Sequence, residues 1–236
     1  LHKTPFSSEE YLKVIPILSK RYWVVVMDTL GYGNSDQPPQ GYRIEDYAQG
    51  IVHFLDALHI KKTSIVGNHT GTALGVEVAA TCPERVDKLV LLGCSLYTPE
   101  EREVFLNNPK YAPIDINKDG SFLMKDWEYC LSNSPYLDLE DSFRMFVAHM
   151  MAGPRLHDAH YAAFRYEKGV KLPLVKSPTL LIYGREDQFC RKLEAVRDLI
   201  PRCKTRVFEK ASSGIPLEKP EELAEAVFDF LSNPGV

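Results

Sequence analysis

Short apolar runs alternate with amphipathic stretches through the first 95 residues of the chain. Residues 21–28 (RYWVVVMD) are mainly β-branched and aromatic, which is typical of a buried strand. In residues 44–58 the apolar positions recur at helical spacing behind two acidic residues, and this pattern predicts a helix. The pattern then predicts a strand at 63–66, an Ala- and Val-rich helix at 71–80 and a strand at 86–92.

The same alternation returns near the C-terminus. It predicts strands at 178–183 and 205–208 and helices at 191–200 and 220–231. Strands that are apolar on both faces belong to parallel sheets whose two faces are covered by helices. The sequence therefore predicts an α/β fold, with a mostly parallel sheet and helices on both faces.

Residues 96–173 interrupt this alternation. They are rich in aromatic residues and Met, and prolines divide them into several helical patterns. We interpret them as a helical cap inserted into a core formed by residues 1–95 and 174–236. The chain starts at Leu1 without Met, and we expect N-terminal strands of the core to precede it.

Composition narrows the possible classes of function. The chain has 236 residues, of which 44% are hydrophobic and 25% charged, so it is neither disordered nor fibrous. A net charge of −4, with basic residues clustered only in pairs, argues against a nucleic-acid partner. Five scattered cysteines without a C-x-x-C pair favour a cytoplasmic protein over a disulfide framework or a zinc site. The apolar runs are too short for the ~20 residues that cross a bilayer, so no membrane association is expected.

Residues 64–73 (SIVGNHTGTA) carry the most informative motif, because a predicted strand, a G-x-x-x-G turn and a predicted helix follow one another directly. This segment resembles the nucleophile elbow of the α/β-hydrolase family. In that family the elbow lifts the nucleophile above the sheet, and the N–H of the next residue helps to hold an oxyanion. The resemblance implies that His69 stands in the nucleophile position and that Thr70 donates this N–H.

Further motifs of the family follow in the expected order. Residues 1–5 resemble its oxyanion loop, 28–36 its D-x-x-G-x-G-x-S-D turn and 82–86 its P-E-R-V junction. Residues 180–187 resemble the strand end that bears the acid of the catalytic triad, and 217–222 resemble the start of its last helix. The resemblance covers nearly the whole chain and implies the α/β-hydrolase fold with Asp187 as the acid.

The departures from the family pattern fall on its catalytic residues. The triad histidine is expected at position 213, where this chain has Ser213. Lys3 replaces the oxyanion-loop glycine, while Thr4 keeps the position whose backbone N–H points at the substrate in that family. The sequence therefore excludes a standard Ser-His-Asp mechanism.

A histidine at the elbow offers a different chemistry. Its far ring nitrogen reaches beyond a serine hydroxyl, and we expect it to lie within hydrogen-bonding distance of Asp187. Such a pair fixes the tautomer of the imidazole and leaves the other nitrogen free as a general base. The alternative is a decayed site in which His69 merely fills space.

Three other features of the sequence are weaker candidates. Residues 115–126 fit the spacing of an EF-hand calcium loop, but Asp126 stands where Glu is usual and a polar turn is the better interpretation. His157 and His160 have a spacing that can bind metal, but no further His or Cys pairs with them, and an exposed or pocket-lining role is the better interpretation. Cys94 follows a predicted strand and is expected to border the site. The sequence predicts neither a metal nor a cofactor.

These observations favour an enzyme, with hydrolysis of a small, partly apolar molecule by His69 and Asp187 as its reaction. A lyase or isomerase step stays open, since such folds host many chemistries. The alternative from another class is a non-catalytic small-molecule receptor or scaffold that has lost the triad. Homo-oligomerisation stays open as well.

Overall fold

A computed structural model of the protein describes residues 1–233, and the last three residues of the predicted core lie outside this range. Within the described residues, four strands form one parallel sheet in the order β1–β2–β3–β4. Their bounds are β1 Thr63–Asn68, β2 Val86–Leu92, β3 Thr179–Gly184 and β4 Cys203–Phe208. The predicted α/β fold with a parallel sheet is confirmed.

Helices connect the strands and cover the sheet. Their bounds are α1 Ile15–Leu18, α2 Ile44–Ala57, α3 Thr70–Thr81, α4 Pro99–Leu106, α5 Ser121–Ser132, α6 Leu139–Ala152, α7 Asp158–Arg165, α8 Lys168–Lys171, α9 Leu193–Arg197, α10 Ile215–Glu218 and α11 Pro220–Ser232. Short 3₁₀ helices lie at Ser8–Tyr11, Pro83–Arg85, Pro109–Tyr111, Gly153–Arg155, Leu172–Leu174 and Cys190–Lys192. The segment between β2 and β3 is helical, with α4 to α8 in it.

The strands separate two apolar cores, one on each face of the sheet. Leu89 and Leu91 of β2 pack with α2 and α3 on one face. Val90 and Leu92 pack with α11 on the other. Alternate side chains of a strand point to opposite faces, so a strand that is apolar throughout must be covered twice. Helices on both faces follow from this requirement.

The predicted strand at 21–28 is wrong. Residues 23–28 form no strand, and Trp23 is 75% exposed. Val24 to Met27 and β1 residues Thr63 to Val66 line a cavity of about 550 Å³. This space separates the segment from the backbone of β1. A β-branched run becomes a strand only where a neighbouring backbone supplies hydrogen bonds. The apolar pattern of the run does not show whether such a neighbouring strand is present.

The first residues of the chain lie against β1 and the helix that follows it. The amino group of Leu1 donates to the carbonyl of Val66 at 2.7 Å, and the N–H of Asn68 donates to the carbonyl of Leu1 at 3.0 Å. Residues 2–7 are buried. Residues 1–5 are thereby fixed beside the C-terminal end of β1. In the part of the chain that the structure describes, no helix has the length and apolar character to cross a membrane.

His2 is held in its neutral form by two backbone groups. Its Nε2 accepts the N–H of Thr29 at 2.9 Å, and its Nδ1 donates to the carbonyl of Lys3 at 2.9 Å. Burial lowers the pKa of His2 from 6.5 to about 4. A proton on Nε2 would remove the acceptor of Thr29, so the folded protein resists protonation here.

We expect the free energy of unfolding to fall as the pH is lowered from 6.5 to 4. The folded pKa of His2 lies below the unfolded value, so its contribution is fully present above pH 6.5 and is lost towards pH 4. The shift corresponds to about 3 kcal/mol. Urea unfolding at several pH values gives the free energy of unfolding as a function of pH. This free energy should change less with pH in His2→Gln than in the wild type, whereas the control His53→Gln, at an exposed site, should show the wild-type dependence. The same pH dependence in all three proteins would contradict the assignment to His2.

Candidate active site

His69 occupies a sharp turn between β1 and α3. Its backbone has φ 47° and ψ −103°, a conformation that L residues rarely adopt. A Cβ atom on Gly67 would lie 2.4 Å from the carbonyl oxygen of Gly71, so the turn can close only because Gly67 has no side chain. The strand, turn and helix have the geometry of a nucleophile elbow, with an imidazole at its apex.

The ring of His69 contacts the carboxylate of Asp187. His69 Nε2 lies 2.8 Å from Asp187 Oδ2, and the N–H of Phe189 donates to Asp187 Oδ1 at 2.9 Å. Burial raises the pKa of Asp187, but the charge and hydrogen bond of His69 and the Phe189 N–H outweigh it, leaving this pKa below its ordinary value. Asp187 is therefore ionised at neutral pH and accepts the proton of Nε2, which leaves Nδ1 of His69 as the basic nitrogen.

Gly93 makes room for this pair, and sequence reasoning missed it. It follows β2, which lies between the strands that carry His69 and Asp187, and its φ is +58°. A Cβ atom at Gly93 would lie 2.4 Å from Asp187 Oδ2 and 2.5 Å from His69 Nε2. The imidazole thus reaches the carboxylate across the bare end of β2. The signal available in the sequence is a glycine directly after a buried strand.

Thr70 and Thr4 are the residues that the family resemblance assigns to oxyanion binding. Thr70 is the first residue of α3, where backbone N–H groups lack helical partners and favour negative charge. A Cβ atom on Gly71 would lie 2.3 Å from the carbonyl oxygen of Leu1, so the N-terminal segment with Thr4 approaches this end of α3 closely. No acceptor among residues 1–233 takes the N–H of Thr4 or Thr70.

Glu10 anchors the N-terminal segment at the elbow, and sequence reasoning missed it as well. Its carboxylate accepts the backbone N–H of Lys3 at 2.8 Å and the side-chain amide of Asn68 at 2.8 Å. The ammonium of Lys3 lies 3.9 Å away. Burial raises the pKa of Glu10, although the charge of Lys3 opposes the shift. The role of Glu10 depends on tertiary contacts, and nothing in its local sequence signals it.

Ser213 lies beside β1, close to the elbow. Its backbone carbonyl accepts the second hydrogen bond of the Asn68 amide, at 3.0 Å. The loop after β4 therefore reaches the end of β1, as a triad histidine at this position would require. With serine there, the acid Asp187 is paired with His69 instead.

A buried lysine lies beneath the elbow, and sequence reasoning did not single it out. Lys168 is 5% exposed, and its ammonium donates to the hydroxyls of Thr72 and Ser95, each at 3.0 Å. Burial lowers the pKa of Lys168. The hydroxyl of Thr72 in turn donates to the carbonyl of His69 at 2.6 Å. Lys168 therefore supports the strained turn through Thr72 as a positioning residue.

Aromatic rings extend from His69 into the helices between β2 and β3. Phe189 lies 5.1 Å from the His69 ring, and Tyr97 lies 5.7 Å from Phe189 and 5.8 Å from Phe164. His160 stacks on Phe164 at 5.9 Å. These rings form a mostly apolar wall beside the His69–Asp187 pair.

The weaker sequence candidates lie in the segment between β2 and β3. His157 and His160 face each other with Nδ1 atoms 3.1 Å apart, and burial lowers the pKa of His157 to about 4. Asp126, at the end of the calcium-loop pattern, lies in α5 and faces His149 of α6 instead of the turn. Cys94 is fully buried, and its carbonyl accepts the hydroxyl of Tyr183 at 2.7 Å.

Two cavities lie away from the His69–Asp187 pair. One, of about 550 Å³, is the space beside β1, and the other, of about 560 Å³, lies between the loop at Tyr42 and helices α7 and α8. Neither His69 nor Asp187 lines either cavity. His69 itself keeps 16% of its side chain exposed, so the imidazole is accessible to a small molecule.

Curated relatives of the chain are bacterial hydrolases. A 2-hydroxy-6-oxononadienedioate/2-hydroxy-6-oxononatrienedioate hydrolase of Paraburkholderia xenovorans is 28% identical over 240 residues, which cover 93% of this chain and 80% of that protein. A 2-hydroxymuconate semialdehyde hydrolase of a Pseudomonas species is 30% identical over 231 residues, with the same coverage. Each name refers to the substrate of that relative.

A solved structure with a similar fold is bromoperoxidase from Bacillus anthracis. It superposes with a TM-score of 0.82 at 21% identity, covering 98% of this chain and 90% of that one. At this identity the likeness shows the fold alone. The sequence model of the alpha/beta hydrolase fold matches residues 3–220, nearly the whole chain. The protein therefore belongs to the α/β-hydrolase family.

Proposed function

We propose that this protein hydrolyses a small, partly apolar carbonyl compound with His69 as general base and Asp187 as its orienting acid. The observation that carries this proposal is the 2.8 Å contact between His69 Nε2 and Asp187 Oδ2 at the apex of the elbow. A strained backbone turn and a buried ionised acid both cost stability, so a site without function is not expected to retain them together.

The proposed reaction begins with a water molecule bound at the free Nδ1 of His69. Nδ1 takes a proton from the water while its oxygen attacks the carbonyl carbon of the substrate, and Asp187 stabilises the imidazolium that forms. The tetrahedral intermediate then collapses, and the imidazolium returns the proton to the leaving group. No covalent enzyme intermediate is needed, in agreement with the absence of serine from position 69.

The oxyanion of that intermediate requires donors, and we assign this role to the backbone N–H groups of Thr4 and Thr70. Both are without an acceptor among the described residues. The N-terminus of α3 adds a positive potential at Thr70. Lys3, at the place of the family's glycine, directs its own N–H to Glu10 and so does not compete for the oxyanion.

The substrate class follows from the surroundings of His69. Phe189 and Tyr97 offer flat apolar surface on one side of the imidazole. The names of the two bacterial relatives describe unsaturated oxo compounds, which combine a flat carbon chain with carbonyl groups. We therefore include activated C–C bonds next to a carbonyl, together with esters and lactones, among the bonds to be tested.

We further propose that residues 96–173 act as a cap over the site, and residues 1–95 and 174–236 as its core. Tyr97 of this segment contacts Phe189 beside the imidazole, and Phe164 contacts Tyr97, which supports this division. All five cysteines are free, which supports a cytoplasmic location.

A second candidate function is a non-catalytic small-molecule receptor or scaffold. Two observations favour it: the triad serine and histidine are both replaced, and the two cavities above lie away from His69. Profiling over esters, lactones, epoxides and C–C substrates separates the two functions. Turnover that His69→Ala abolishes supports the enzyme, whereas ligand binding without turnover supports the receptor.

On a confirmed substrate, His69→Ala and Asp187→Asn should each lower kcat at least ~10²-fold, since positioned proton transfer typically contributes 10²–10⁴-fold. The wild-type rate should rise with pH, because a general base accepts a proton only in its unprotonated form. Steady-state kinetics across pH provide the measurement, and Ser213→Ala serves as the control with little change. Full activity in His69→Ala would show that the chemistry lies elsewhere.

Gly93→Ala should lower kcat by about the same factor, because its Cβ would force His69 Nε2 and Asp187 Oδ2 apart. Gly41→Ala is the matched control, since Gly41 also has a positive φ but open space around it. Both variants should lose stability through the positive φ, Gly93→Ala more because of its clash, and in assays well below both Tm values only Gly93→Ala should lose activity. Equal activities of the two variants would contradict this role of Gly93.

Placing a serine and a histidine at the family positions should create weak esterase activity. His69→Ser combined with Ser213→His supplies a nucleophile, a base and the existing Asp187, with Thr4 and Thr70 as oxyanion donors. Hydrolysis of a p-nitrophenyl ester measures the gain, and His69→Ser alone should stay inactive for want of a base. Equal activity in the single and double variants would count against the assigned positions.

A further inference from the structure

Three side chains that commonly bind metal ions meet between α5 and α6. Asp126 and Cys130 lie one turn apart on α5, and His149 faces them from α6. His149 Nδ1 lies 3.0 and 3.1 Å from the two oxygens of Asp126 and 3.6 Å from the sulfur of Cys130. The sulfur lies 3.7 Å from Asp126 Oδ2. The three side chains are thus close enough to one another to bind a single metal ion.

These distances match the edges of a tetrahedral zinc site. Zinc binds nitrogen and oxygen at about 2.0–2.2 Å and thiolate sulfur at about 2.3 Å, which places tetrahedral ligands about 3.3–3.6 Å apart. The separations in the protein, from 3.0 to 3.7 Å, lie within about 0.3 Å of that range. Movements of a few tenths of an ångström at three side chains would therefore complete the geometry.

Hydrogen bonds already join the three groups. The thiol of Cys130 donates to Asp126 Oδ2, and Nδ1 of His149 lies within hydrogen-bonding distance of the same carboxylate. One cation between the three groups would take the place of the protons they share and bind Nδ1, the sulfur and the carboxylate together.

The burial of the cluster also suits a metal ion. Cys130 is fully buried and His149 is 1% exposed, so water does not compete for these two ligands. The Asp126 side chain is 13% exposed and opens one side of the cluster to solvent. A fourth coordination position on that side can be filled by water, as in zinc sites with three protein ligands.

We propose that Asp126, Cys130 and His149 form a binding site for one divalent cation of the zinc class, which joins α5 to α6. The donor set of thiolate, imidazole and carboxylate selects zinc or cobalt over magnesium and calcium, which prefer oxygen ligands. The site is independent of the proposed hydrolysis. The sequence predicts no metal site, because its three ligands come from two helices and lack a recognised spacing.

Cobalt(II) titration of the metal-stripped full-length protein tests this site. We expect one equivalent of cobalt to bind with a near-ultraviolet thiolate-to-cobalt absorption band, and zinc to displace it. Cys130→Ser should lose the band, while Asp126→Asn and His149→Ala should raise the cobalt Kd at least about 100-fold. Cys82→Ser is the matched control, since Cys82 lies outside the cluster, and it should keep both band and affinity.

Thermal unfolding provides a second measurement that needs no variant. Zinc should raise the Tm of the wild-type protein and a chelator should reverse the increase, because a ligand that binds the folded state stabilises it. A wild-type titration without the thiolate band, or with an equal band in Cys130→Ser, overturns the proposal. If Cys130→Ser does not fold, the band of the wild-type protein and the affinity of Asp126→Asn decide the question.

Discussion

The parallel pairing of the four strands determines where every residue of the site can lie. Asn68 of β1 pairs with Leu92 of β2, and Leu92 pairs with Ile182 of β3, so the three strands end at the same edge of the sheet. The residues that follow these ends, His69, Gly93 and Asp187, are far apart in the chain and converge there. Antiparallel pairing of any one strand would send its following residue to the opposite edge.

The side chains of His69 and Asp187 can meet at that edge only because glycines lie at the points of closest approach. β2 separates β1 from β3, so the His69 ring must pass over the end of β2 to reach Asp187, and Gly93 leaves it that space. Gly67 and Gly71 have a similar role around the elbow, where strand, helix and N-terminal segment meet. Imidazole length and missing Cβ atoms together explain how an acid positioned for a triad histidine is paired with a residue at the elbow.

The sequence predicts the parts of this structure that depend on local pattern. The strand at 86–92 and the helix at 44–58 agree with β2 and α2 to within one residue, because burial on both faces or on one stripe appears directly in their apolar positions. The segment 21–28 has the same composition without a partner backbone, so the pattern fails there. Motif order also places His69 and Asp187 at strand ends. Gly93, Glu10 and Lys168 each depend on a contact with a residue more than 50 positions away in the chain, which no local pattern records.

The turn at His69 makes stability and chemistry compete at one position. A non-glycine residue at φ 47° and ψ −103° costs on the order of 1–3 kcal/mol, which glycine in its place would largely recover. His69→Gly alone would leave the buried carboxylate of Asp187 unpaired, so a screen of random mutants for heat resistance would enrich replacement of both residues, while selection for turnover would retain them. Persistence of histidine at the apex through such a heat screen would be a sign that function, and not folding, had been under selection.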